Sequence, residues 1–89
     1  MARVRLSQLM SRLFPEHQGR RLAASNVGEL LDQLDEETPG LNEYLRSSEG
    51  SLRPSVDIIV DGASLQDRDR LSDPLKEASE VLIVQQERQ

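Results

Sequence analysis

The segment Asn26-Val27-Gly28-Glu29-Leu30-Leu31-Asp32-Gln33-Leu34 decides the fold. Val27, Leu30, Leu31 and Leu34 fall at i, i+3, i+4 and i+7, which is one stripe of an α-helix. Glu29, Asp32, Asp35, Glu36 and Glu37 occupy the other faces. Asn26 stands where a helix N-cap is wanted, and Glu29 follows three residues on, as in a capping box. Pro39-Gly40 stops the run. The pattern predicts one amphipathic helix near residues 27–37. Leu41, Tyr44 and Leu45 continue at helical spacing and predict a further short turn of helix before Ser47-Ser48-Glu49-Gly50.

On either side of that helix the period changes from 3.6 to 2. Upstream, Val4 and Leu6 alternate with Arg3, Arg5 and Ser7, so residues 2–8 read as a half-buried strand. Leu9, Met10, Leu13 and Phe14 follow, and Pro15 to Gly19 bracket a loop. Residues 21–25 read as a second strand, weakened by two alanines. Downstream, Val56, Ile58 and Val60 alternate with Asp57 and Asp61, and Asp61-Gly62 is a tight-turn signal. Residues 63–80 are polar and irregular. Val81-Leu82-Ile83-Val84 is a final strand, apolar on both faces. The expected architecture is α+β, a ubiquitin-like β-grasp: a mixed sheet of four to five strands packed on one main helix, its first and last strands parallel neighbours.

Composition narrows the chemistry. The 89 residues suit a single domain spanning 1–89. With aromatics at 2%, the core has to be aliphatic. There are no cysteines, which removes disulfides, thiolate metal sites and cysteine nucleophiles. The start of the chain alternates charge with apolar residues and does not read as a signal peptide. The longest apolar run is far short of a membrane span. A cytoplasmic protein without membrane partners is therefore expected. The net charge of −5 argues against nucleic acid as a partner. The charge is unevenly spread: residues 1–24 hold Arg3, Arg5, Arg12, Arg20 and Arg21 against Glu16 alone. A local basic patch on the first hairpin is one consequence, although mixed surfaces are normal on small domains.

Several stretches resemble one family in the right order. Asn26 to Leu34, followed by Pro39-Gly40-Leu41, is similar to the helix "TVGELLDAL" running into "PGL" of the MoaD/ThiS sulfur carriers of molybdopterin and thiamin synthesis. Leu52-Arg53-Pro54 leading into Val56 to Gly62 resembles that family's third strand and turn. Pro74-Leu75-Lys76 and Glu80-Val81 resemble its closing segment. The resemblance implies a β-grasp protein, without a cofactor of its own, whose partners are an adenylating (activating) enzyme or a synthase large subunit. It also implies that a C-terminal Gly-Gly carboxylate is the working group. This sequence departs from the family there: Gln85-Gln86-Glu87-Arg88-Gln89 follows Val84, and the last glycine is Gly62. The bulky tail residues Glu87, Arg88 and Gln89 would fill a channel shaped for glycine.

No catalytic, cofactor-binding or metal-binding residue is expected. His17 is the only histidine, reads as an exposed loop residue and has no second ligand for zinc. The four serines at 47, 48, 51 and 55 lack a base. Gly28 lies inside the helix, where close packing against the sheet would justify it. The informative surface is the outer sheet face. If Val4, Leu6, Val56, Ile58, Val60, Val81 and Ile83 face the helix, alternation sends Arg3, Arg5, Asp57, Ile59, Leu82 and Val84 outward. An apolar patch of Ile59, Leu82 and Val84 with Arg5 on its rim is the candidate partner-binding site. The reading is a non-enzymatic protein-binding module. The alternative is a true sulfur carrier, working through a C-terminal thiocarboxylate, whose Gly-Gly is missing from this chain.

Overall fold

The computed structural model describes residues 1–85. Strand β1 (Ala2–Leu6) leads through α1 (Gln8–Leu13) and a 3-10 turn at Pro15–His17 into β2 (Arg21–Leu22). Then come α2 (Val27–Glu37), α3 (Leu41–Leu45), β3 (Val56–Val60), β4 (Ala63–Ser64) and β5 (Glu80–Gln85). The five strands form one sheet in the order β2-β1-β5-β3-β4. β1 and β5 run parallel at its centre, and the other pairs are antiparallel. The connections account for the parallel pair: β2 folds back antiparallel to β1, the chain crosses through α2 and α3 to β3, and β5, antiparallel to β3, comes to lie parallel beside β1.

The helix stripe is the core. Val27, Leu30, Leu31 and Leu34 are wholly buried, and they share one apolar cluster with Val4, Leu6, Val56, Ile58, Val81 and Ile83 from the sheet. Asn26 caps α2 as expected, its side-chain oxygen accepting from the Glu29 N–H at 2.8 Å. Glu29 reaches back one residue further than the capping-box pattern, to the Ser25 N–H at 3.4 Å.

Three segments differ from the expectations. The apolar residues after β1 form α1, a helix capped by Ser7 and anchored by the fully buried Met10. The second strand is two residues long, because after Leu22 the chain turns to meet α2: Gln33 donates to the Ala23 carbonyl at 2.6 Å. The polar stretch 63–80 is less irregular than expected: it opens with the short β4, the fifth strand that the expected four to five allowed, and its remainder is held in a defined loop. The hairpin turn before β4 is Asp61-Gly62, both with positive φ (51° and 85°), the backbone a two-residue turn of this kind needs. The rest of the stretch is ordered by carboxylates: Asp73 accepts from the Gln66 and Asp67 N–H groups at 2.9 and 2.8 Å.

Gly28 packs closely, but against this loop and not against the sheet. Its N–H donates to the Leu71 carbonyl at 2.8 Å, and a Cβ would sit 3.3 Å from that same oxygen.

His17 is buried, not exposed. It is 1% accessible and its Nε2 lies 2.7 Å from the Thr38 hydroxyl at the end of α2. Thr38 gives its own proton to Glu16 at 3.0 Å, so the hydroxyl oxygen accepts from the ring, which places a proton on Nε2. Nδ1 has no partner among the described residues. An ion pair of Arg20 with Glu37 at 2.5 Å folds the loop over this histidine. The Pro/Gly punctuation identified the loop, but its packing on the helix end is a tertiary effect.

Candidate functional site

Alternation along β5 divides its side chains. Val81 and Ile83 are buried on the helix side, while Leu82 and Val84 project from the other face and are half-buried. β1 does the same, with Arg3 and Arg5 exposed between Ala2, Val4 and Leu6. On β3, Ile59 is half-buried and lies outside the core cluster. Parity alone predicts these directions. Register decides which of the residues meet.

Arg5 lies opposite Leu82 across β1 and β5, and Leu82 lies opposite Ile59 across β5 and β3. The three therefore form one row across three strands, about 10 Å long at the usual strand spacing. Val84 lies one step along β5 and faces Asp57 on β3. All four sequence-selected residues, Arg5, Ile59, Leu82 and Val84, fall on this outer face. The aliphatics are half-buried, and none of them is among the exposed large apolar residues, Met1 and Leu13.

The rim is charged. Asp57 is bridged by Arg68 at 2.7 Å. The same guanidinium donates to the Val56 and Arg53 carbonyls at 2.8 and 2.9 Å. Arg68 thus covers the part of the β3 edge that β4 is too short to pair, a protection that edge strands need. It came from the irregular stretch, and no pattern in the sequence pointed to it. On the other side Arg3 lies opposite Arg21 of β2 and opposite Glu80 of β5, whose carboxylate is 4.0 Å away.

The two ends of β5 are fixed differently. At its start, the Asp61 carboxylate accepts from the Glu80 N–H at 2.8 Å and from the Ser79 hydroxyl at 2.9 Å. Those two bonds, the backbone one first, hold its pKa below the ordinary aspartate value. Ser79 also accepts from the Lys76 N–H at 2.8 Å, so residues 76–79 make a closed turn before β5. At its end, the Tyr44 hydroxyl donates to the Gln85 side chain, and Tyr44 is set by an edge-to-face contact with Phe14 at 5.6 Å. The Ser7 N–H donates to the Ile83 carbonyl at 3.0 Å. The expected tail residues Glu87, Arg88 and Gln89 lie outside the described residues.

Among the described residues no group of three or more His, Asp or Glu side chains is placed to hold a metal. An open hollow of about 560 Å³ is lined by Asn42, Arg46 and Arg53. Both guanidiniums are engaged by main-chain oxygens: Arg46 donates to Gly50 at 2.7 Å, and Arg53 to Glu43 at 2.9 and 3.1 Å. They brace the loop between α3 and β3. No helix is long and apolar enough to cross a membrane among the described residues.

A mixed five-stranded sheet wrapped on one main helix, with parallel central strands, defines a ubiquitin-like β-grasp protein. The sequence profile of the ThiS family matches residues 8–86, and the chain belongs to that family. Solved structures agree on the fold. A chain of the Amycolatopsis orientalis BexX/CysO complex superposes with a TM-score of 0.83 at 13% identity, covering 100% of this chain and 99% of that one. CysO of Mycobacterium tuberculosis, described as an antigen, gives 0.80 at 18% identity over 98% and 100%. SAMP1 of Haloferax volcanii gives 0.79 at 16% identity over 99% and 97%. No match was found among curated protein sequences. The chain therefore has the fold of small ubiquitin-like sulfur carriers and modifiers.

Proposed function

We propose that this chain is a protein-binding module of the ThiS family, docking through the outer sheet face with Arg5, Ile59, Leu82 and Val84 at the contact. A tail bearing Glu87, Arg88 and Gln89 is not loaded with sulfur. The observation that carries the reading is the row Arg5–Leu82–Ile59. It sets the aliphatic side chains of Leu82 and Ile59 side by side on β5 and β3, with Arg5 of β1 next to them, on the face away from the helix, where core packing does not require them. The partner is a protein, of the class of an adenylating enzyme or a synthase large subunit. That a similar chain was solved in the BexX/CysO complex supports a protein partner. The chain does no chemistry itself, and it works in the cytosol. The net charge of −5 disfavours nucleic acid as a partner.

Docking and loading separate experimentally. The chain is incubated with a sulfur-carrier activating enzyme, ATP and a sulfur donor, and binding is followed by calorimetry while the product is weighed intact. The expected result is binding that weakens by about tenfold or more in Leu82→Asp, with no change in mass. A gain of about 16 Da, sulfur for oxygen at the terminal carboxylate, would establish the alternative, a working carrier. Binding unaffected by Leu82→Asp would remove the outer face from the reading.

A further inference from the structure

β5 loses one of its two neighbouring strands before it ends. Its parallel ladder with β1 runs from Arg3 and Glu80 to Leu6 and Ile83. The next bond on that side is the Ser7 N–H to the Ile83 carbonyl at 3.0 Å, and Ser7 then caps α1. Beside this point lies an open hollow of about 360 Å³, lined by Ser7, Gln8, Leu9, Arg12 and Gln85. Val84 and Gln85 therefore have a strand on one side only, where they pair with Asp57 and Val56 of β3. Val56 is itself the first residue of its strand. A strand end held by a single neighbour is where a sheet opens first.

The side chain of Gln85 supplies a second hold. It has the parity of Val81 and Ile83, the inward residues of the strand, and it is half-buried. An aliphatic residue there would extend the core. A glutamine in that place needs a polar partner, and the Tyr44 hydroxyl donates to its side-chain oxygen. Tyr44 is firmly set: its ring packs against the core cluster and stands edge-to-face on Phe14, and its helix α3 is anchored by the buried Leu41 and Leu45. The two residues are 41 positions apart in sequence, so the bond ties the end of the strand to a different layer of the fold. A hydrogen bond also fixes distance and direction, which an aliphatic contact at the same place does not.

We infer that Tyr44 is a positioning residue for the docking face: through Gln85 it sets where β5 ends, and so keeps Val84 on the face that carries Leu82 and Ile59. Without the bond, Val84 and Gln85 peel from β3 on their open side, while Val81, Leu82 and Ile83, flanked by β1 and β3, stay in the sheet. Val84 then leaves the face, and Asp57 loses its neighbour across the ladder. The use made of Val84 rests on the docking reading above. The hold on the strand end stands on the register and the hydrogen bond alone.

The test is native-state amide exchange of the full chain, read residue by residue by NMR. Tyr44→Phe keeps the ring and its contact with Phe14 and removes only the hydroxyl. In that variant the amides of Val84 and Asp57 should exchange about fivefold faster, the factor that one net hydrogen bond represents. Those of Leu82 and Ile59, the next outward pair along the ladder, should change by less than about twofold. In a Gln85→Leu background Tyr44→Phe should no longer speed exchange at Val84 and Asp57, because the two side chains act as one unit. Unchanged exchange at Val84 and Asp57 in Tyr44→Phe would overturn the proposal. A uniform rise along β5 would overturn it as well, by making Tyr44 an ordinary core residue. So would an undiminished effect in the Gln85→Leu background, since Tyr44 would then act by another route. Adding a sulfur-carrier activating enzyme judges the docking reading separately: the amides of Leu82 and Val84 should be protected in the wild type. Absence of that protection would reject the docking reading and the part Tyr44 plays in it, while the comparison of variants still decides whether Tyr44 holds the strand end.

Discussion

Replacing Gly28 by alanine sets two effects against each other, and the structure predicts which one wins. Alanine is favoured over glycine by about 1 kcal/mol in a helix interior. Position 28 is the second residue of α2, so only part of that gain applies. Against it stands the backbone of the polar loop. A Cβ at 28 would lie 3.3 Å from the Leu71 carbonyl oxygen and 3.6 Å from that of Arg70. The first of these oxygens accepts the Gly28 N–H at 2.8 Å, so relieving the contact stretches that bond. Leu71 is poorly able to yield: its side chain is fully buried, its φ is already positive at 57°, and its N–H is tied to the Asp67 carbonyl at 2.9 Å. Overpacking of this kind costs about 1–3 kcal/mol. The expected net effect of Gly28→Ala is a loss of about 1 kcal/mol, the overpacking minus a partial propensity gain. Urea unfolding reads it directly. With a slope near 1 kcal/mol/M for a domain of this size, the midpoint should fall by about 1 M at unchanged slope. A midpoint that rises would refute the reasoning and mean that the 67–73 loop moves aside freely.

Three further outcomes follow from the same packing. Leu30→Ala and Ile58→Ala, both at wholly buried positions, should each lower stability by about 2–5 kcal/mol in denaturant melts; losses below about 0.5 kcal/mol for both would place the helix register in error. Thr38→Val keeps the shape but leaves both nitrogens of buried His17 unpartnered, so urea unfolding should show a loss of about 1–3 kcal/mol; an unchanged midpoint would mean that the hydroxyl does not satisfy the ring. Asp61, Glu16 and Asp67 all have lowered pKa values, so the stability they contribute is present above the ordinary carboxylate range of about 4 and is lost as pH falls through their lowered values. Asp61→Asn suits the same turn without the charge, so its urea midpoint should lie below the wild-type one at neutral pH and approach it below about pH 4; a gap that widens on acidification would reverse the assignment.

The parts of this fold that were legible from sequence are those whose burial imposes a period. Val27, Leu30, Leu31 and Leu34 announce α2 because each must face the same core, β1 and β3 announce themselves by alternation, and β5 by a short apolar run. What stayed hidden lacks a period long enough to read. α1 spans only six residues, and its position depends on the burial of Met10 and the Ser7 cap. β4 is two exposed residues, and the Asp61-Gly62 turn before them allows for a fifth strand without fixing its place. His17 sits between proline and glycine and looks like any loop residue until the Arg20–Glu37 pair and the Thr38 hydroxyl close over it. The candidate site divides in the same way. That Arg5, Ile59, Leu82 and Val84 point outward follows from parity. That Arg5, Leu82 and Ile59 stand in one row follows from register, which parity does not fix.

β5 joins these arguments in one strand. Its inward residues Val81 and Ile83 belong to the core, and its outward residues Leu82 and Val84 belong to the candidate docking face. The strand is pinned at its start by Asp61 and Ser79 and at its end by Tyr44. It is also flanked on both sides, by β1 and β3. A substitution at 82 or 84 can therefore alter what the face recognises while the inward pair and the two neighbouring ladders keep the strand in place. A substitution at 81 or 83 removes core volume and disturbs both faces. Recognition and stability are carried by alternate residues of the same strand, which lets the outer face change its partner without changing the fold.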